Sequence, residues 1–169
     1  MKYLIVVDMQ VDFINGSLGS NMALAIVPRV VDKVKSFDGR VIFTRDTHES
    51  DYLDTQEGRN LPVEHCIRDS AGWQICDELA PYADTVVDKI TFGSIDLPSV
   101  IKSYGESIDE IELCGLCTDI CVISNAMLLK AALPEVKIAV DASCCAGVSV
   151  ESHNTALNAM RAVQIAVKE

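Results

Sequence analysis

Tyr3-Leu4-Ile5-Val6-Val7-Asp8 is an unbroken aromatic and aliphatic run that stops on an acid. A strand with one wet face alternates apolar and polar positions, whereas a strand covered on both faces reads as continuous apolar sequence. Working outward, β-branched or apolar runs of the same kind recur at Val41–Thr44, Thr85–Val87, Ile111–Cys114, Val136–Val140 and Val163–Val167. Between them apolar residues take helical spacing: Ile26, Val30, Val31 and Val34, then Val122, Ala126, Leu128 and Leu129 within Thr118–Leu133, then Ala156, Ala159, Met160 and Val163. Doubly covered strands alternating with helices predict a parallel sheet, because right-handed crossovers lay helices on both of its faces. The predicted fold class is α/β, with three α/β/α layers.

The chain has 169 residues, 49% of them hydrophobic, which suits one compact core. Nothing in its 5 prolines and 9 glycines marks a linker, so residues 1–169 are read as one domain. A formal charge of −11 repels phosphate backbones and anionic headgroups, which argues against nucleic-acid and membrane partners. No apolar run approaches the roughly 20 residues of a membrane span, and a cytoplasmic location is expected. The 7 cysteines are odd in number and irregularly spaced, which fits reduced thiols better than a disulfide framework.

In open parallel sheets, functional groups gather beyond the carboxyl ends of the strands. Here those ends carry Asp8, then Thr44-Arg45-Asp46, then Asp88-Lys89, then Cys114-Gly-Leu-Cys117-Thr-Asp-Ile-Cys121, and finally Asp141, which reads as a helix cap. With Thr118 as N-cap, Cys121 falls in the first turn of a helix, where free amides favour a thiolate. Asp8 and Lys89 supply the proton carrier and cation that thiolate attack on a carbonyl requires. His153, in a helical stretch away from this edge, is not expected to pair with the thiol.

Val-Val-Asp8-Met-Gln-Val-Asp-Phe13, Asp88-Lys89-Ile-Thr-Phe-Gly-Ser94 and Gly115-Leu-Cys-Thr-Asp-Ile-Cys121-Val resemble, in order, the signatures of the isochorismatase-like cysteine hydrolases. The resemblance implies a Rossmann-like, mostly parallel six-stranded sheet and a catalytic Asp8, Lys89 and Cys121. It also implies a cis peptide between Leu116 and Cys117, and an oxyanion hole made by the amides of Cys117 and Cys121. Relatives commonly form homo-oligomers.

Thr44-Arg45-Asp46-Thr47-His48, Glu57 and Leu61-Pro62-Val63-Glu64-His65-Cys66 further resemble the metal site of nicotinamidases, with Asp46, His48 and His65 as ligands and Glu57, preferred over Asp54, as a fourth. Asp46 and His48 are two apart, so in extended chain both project the same way. Imidazole and carboxylate ligands suit zinc, with iron or manganese as alternatives, better than calcium or magnesium. The implied substrate is a small carboxamide, most simply nicotinamide, with Phe13 against its ring and Tyr52 as a further wall candidate. Thr47 stands where many nicotinamidases carry tryptophan, which leaves another amide or carbamoyl compound as an alternative substrate. Isochorismate fits less well, because the relatives that hydrolyse it lack the metal. A thiol redox protein using Cys114 and Cys117, and a structural zinc on Cys114, Cys117, Cys144 and Cys145, are the rival readings; neither gives Lys89 a role.

Overall fold

A computed structural model describes residues 1–169. In chain order it comprises β1 (Lys2–Val7), α1 (Val11–Ile14), α2 (Asn21–Ser36), β2 (Arg40–Asp46), α3 (Gln56–Asn60), β3 (Val86–Lys89), α4 (Leu97–Ser103), β4 (Glu110–Leu116), α5 (Ile123–Ala132), β5 (Lys137–Ala146), α6 (Val150–Ala162) and β6 (Ala166–Lys168). The strands form one six-stranded sheet, order β3-β2-β1-β4-β5-β6. Every neighbouring pair is parallel. β1 lies between β2 and β4, and Tyr3–Val7 are all 0% exposed, as an unbroken apolar run demands.

The chain lays β2 and β3 to one side of β1, then returns to lay β4, β5 and β6 on the other. Right-handed crossovers therefore put α2 on one face, against β4 and β5, and α4, α5 and α6 on the other. The reversal between β1 and β4 opens a crevice beyond their carboxyl ends. β4 closes on β1 there through Gly115, whose φ is +113° and whose missing Cβ would lie 2.2 Å from the Val7 carbonyl oxygen.

The structure moves three expected boundaries. β5 does not stop at Asp141 but continues to Ala146 through a register shift against β4, so Asp141 is mid-strand and caps no helix. The last strand is Ala166–Lys168, with Val163 instead ending α6. The stretch Thr118–Leu133 divides into a π-helical turn, Thr118–Val122, and α5. Cys117, not Thr118, caps that turn, its carbonyl accepting from the amides of Ile120 and Val122.

Asp141 instead belongs to a charged network beneath α2. Lys33 pairs with Asp141 at 2.5 Å and with Glu112, and Lys168 reaches Glu112 at 2.5 Å and Glu110 at 2.8 Å. Burial acts to raise the Asp141 carboxyl, but the hydrogen bonds from Lys33 and Ser143 hold it below its usual range. Lys33→Met leaves Asp141 without its cation and Glu112 with Lys168 alone, and is expected to lower stability by about 1–3 kcal/mol in urea denaturation. Because the Asp141 carboxyl is depressed in the folded state, its contribution is present above the unfolded value of 3.8 and is lost on acidification below it.

Candidate active site

Asp8 follows β1 with a positive φ of 48°, a backbone conformation that non-glycine residues adopt only when their surroundings enforce it. Thr44 on β2 supplies the enforcement: its carbonyl accepts from the Asp8 amide at 3.2 Å, and its hydroxyl donates to Asp8 Oδ1 at 2.7 Å. The other carboxylate oxygen, Oδ2, lies 2.7 Å from Lys89 Nζ with no hydrogen bond aligned on it, and so keeps accepting capacity. Lys89 closes β3 and is 3% exposed. Its ammonium also lies 3.5 Å from Cys121 Sγ and donates to Asp46 Oδ1 at 3.1 Å and to the Thr91 carbonyl at 3.0 Å. One ammonium thus touches two carboxylates and a thiol.

Burial pushes the Cys121 thiol well above its ordinary 9.0; the Lys89 charge opposes this, while Asp8 and Asp46 reinforce it. Full burial beside two acids thus works against the thiolate that a helix start and one ammonium favour. Burial likewise raises the Asp8 carboxyl, against the pull of Lys89 and with the push of Asp46. An acid and a thiol whose proton affinities are both raised by burial, set side by side, are arranged for proton transfer between them.

Beyond Asp46 the second cluster begins. The ligand atoms of Asp46, His48, Glu57 and His65 all lie within 4.8 Å of one another. His48 Nε2 is 2.9 Å from Asp46 Oδ2 and 3.6 Å from Glu57 Oε1; His65 Nε2 is 3.6 Å from Asp46 Oδ2 and 3.9 Å from Glu57 Oε1. His65 Nδ1 is 2.8 Å from the Val63 carbonyl, an arrangement that places the ring hydrogen there and leaves Nε2 bare toward the cluster. Two imidazoles and two carboxylates, nearly dry and converging, fit a divalent transition metal. Asp54, in a separate turn, is not among the converging groups.

Phe13 and His65 have ring centroids 5.5 Å apart, and both line a cavity of about 400 Å³ together with Asp46, Glu57, Cys117 and Cys121. Tyr52 does not join that wall: fully buried, it packs behind the histidines at 4.6 Å and 4.9 Å and donates its hydroxyl to the Leu61 carbonyl. The Leu116–Cys117 peptide is cis. His153 lies nearer this edge than its sequence position suggests, since Nδ1 is 2.7 Å from the Thr118 hydroxyl, and it pairs with that hydroxyl and not with the thiol. All 7 cysteines are free; Cys114 is fully buried, which denies it the exposure a redox pair needs, and its thiol is raised well above its ordinary value first by burial and then by Cys145 and Cys144. The cysteines form no ligand cluster of the kind a structural zinc requires.

Sequence reasoning missed the residues that hold the site in place. The Gln10 amide brackets Asp46, accepting from its amide at 2.7 Å and donating to its carbonyl at 2.9 Å. Asn125 donates to the carbonyls of Cys121 and Phe92 and accepts from the Ser94 amide, tying the thiol turn to the lysine loop. Asp12 accepts from the Cys66 amide at 2.7 Å, anchoring the segment that presents His65. Gln10 and Asp12 stand inside the first signature, which was the one available signal for them.

The isochorismatase domain model matches residues 2–169. The chain is 26% identical over 176 aligned positions to the nicotinamidase of Saccharomyces cerevisiae, an alignment spanning 75% of this chain and 80% of that one. Among solved structures, the nicotinamidase/pyrazinamidase of Bacillus subtilis superposes with TM-score 0.87 at 26% identity, covering 99% of both chains. The pyrazinamidase of Pyrococcus horikoshii in complex with zinc also superposes with TM-score 0.87, at 24% identity over 99% of this chain and 98% of that one, a likeness of fold.

Proposed function

Because this chain belongs to the isochorismatase domain family, we propose that it is a cysteine amidohydrolase that converts nicotinamide and water to nicotinate and ammonia. The observation that supports this most is that the Asp8–Lys89–Cys121 cluster and the four converging ligand side chains meet at one cavity, joined through Asp46. An amide carbonyl set over Cys121 then has its ring directed toward the second cluster. The nicotinamidase and pyrazinamidase relatives support the same substrate class.

In this reading Asp8 takes the Cys121 proton as sulfur bonds to the carbonyl carbon, and Lys89, 3.5 Å from that sulfur, balances the negative charge that leaves the acid for the sulfur and the substrate. The amides of Cys117 and Cys121 hold the oxyanion of the tetrahedral intermediate. Asp8 returns the proton to the amide nitrogen, the C–N bond breaks, ammonia leaves and a thioester remains. Asp8 then takes a proton from water as its oxygen attacks the thioester, and the thiol is restored as nicotinate departs. Asp46, His48, Glu57 and His65 would hold a divalent transition ion, zinc before iron or manganese, which supplies an anchor for the ring nitrogen. Phe13, whose ring lies 5.5 Å from that of His65, packs against the substrate ring.

Ammonia release from a carboxamide panel tests the proposal. Turnover of nicotinamide and pyrazinamide is expected; cleavage of a linear carbamoyl compound with none of nicotinamide would replace the assignment with that of a general amidase. His48→Ala is expected to lose bound metal and raise KM about 10–100-fold while Cys121 remains open to alkylation. Full activity in protein shown by metal analysis to hold no transition ion would remove the orienting role.

A further inference from the structure

The cavity is larger and more apolar than one pyridine ring with its amide requires. Its volume of about 400 Å³ falls in the range, roughly 300–1,000 Å³, of cavities that enclose multi-ring ligands. At its mouth three apolar side chains from three separate segments stand open to water: Leu61 (39% exposed), Phe92 (43%) and Val148 (63%). Large apolar side chains that converge on one opening without covering one another mark a surface a ligand can dry. The charges are one-sided as well. Asp46 and Glu57 line the cavity and no lysine or arginine does, Lys89 being buried behind them with its ammonium engaged by Asp8 and Asp46.

From this we infer that the preferred substrate is an uncharged carboxamide bearing an apolar group remote from the amide, with nicotinamide as its unextended core. The inference rests on the amidase reading and deepens it. With the carboxamide at ring position 3 over Cys121 and the ring nitrogen at the Asp46–His65 side, position 5 is the ring carbon farthest from both anchors. A group placed there has only the mouth to occupy, where Leu61, Phe92 and Val148 lose their contact with water. A carboxylate in the same place meets no lysine or arginine and gives up water to the apolar Leu61, Phe92 and Val148 instead.

The experiment compares kcat/KM for nicotinamide, 5-propylnicotinamide and 5-carboxynicotinamide on the metal-loaded protein. The propyl compound is expected to exceed nicotinamide by about tenfold or more, since even one well-buried methylene discriminates on that scale. The carboxy compound is expected to be the poorest of the three. Leu61→Ser and Val148→Ser should each reduce the ratio of propyl compound to nicotinamide, which a general loss of folding or chemistry would not move. Equal or better turnover of nicotinamide, or a carboxy compound as good as the propyl one, overturns the inference and leaves the amidase standing. Ammonia from none of the three removes the amidase reading and this inference with it.

Discussion

Cys121→Ala is expected to lower ammonia release by about 10⁴-fold or more, to the limit of detection, because no other group near the cavity can form the thioester. Cys117, the other thiol lining that cavity, lacks the contact with Lys89 that Cys121 makes at 3.5 Å. The substitution removes one atom from a 5%-exposed position, so the fold is expected to survive at a cost of about 1–2 kcal/mol. Cys114→Val is the control. That residue lies inside β4, fully buried, and its replacement should change stability while leaving turnover within about threefold. Retained turnover in Cys121→Ala together with a reversible Cys114–Cys117 disulfide would discard the nucleophile and restore the thiol-exchange reading.

Lys89→Met should fail in both chemistry and stability. Without the ammonium, Asp8 and Asp46, 0% and 3% exposed, remain as two uncompensated acids in a dry crevice, and removing one partner of such a buried set destabilises by about 3–5 kcal/mol. Turnover should fall by about 10³-fold, because the negative charge that passes from the acid to the sulfur as the proton moves loses its fixed counter-charge. The pH dependence separates this from a simple packing defect. Asp8 is already raised by burial, and it is Lys89 that opposes the rise. In the variant the folded state therefore binds a proton more readily than the unfolded chain, so the deficit shrinks on acidification and grows as pH rises. Urea denaturation at pH 5 and pH 8 measures it; a deficit independent of pH would mean that the charges are not its cause.

The sheet was legible because its central strand has no wet face: Tyr3–Val7 carries no polar residue to confuse the reading, and the acid that ends it lies at the switch in strand order. The placement of Asp8, Lys89 and Cys121 around one ammonium follows from the same logic of strand ends. What could not be read was set by tertiary partners. β5 runs past Asp141 because Lys33, distant in sequence, neutralises an acid that otherwise looks like a terminator. Edge strand β6 is three residues long and has only β5 to define it. Thr44, Gln10, Asp12 and Asn125 act through single side-chain hydrogen bonds that leave no periodicity behind. The burial that raises the Cys121 thiol could not be read, because helix position is written in sequence and depth of burial is not.

Asp46 has one oxygen on Lys89 and the other on His48. That double allegiance sets an order on the paths by which descendants of this protein could drift. If the second cluster holds an ion as proposed, a lineage that came to work without it could discard His48 or His65 early, since each serves one cluster only. It could not discard Asp46 in the same step, because the lysine would lose half of its counter-charge along with the ligand. The histidines are thus the replaceable part of the second cluster, and the acid would be its last relic, kept for the lysine after the ion had gone.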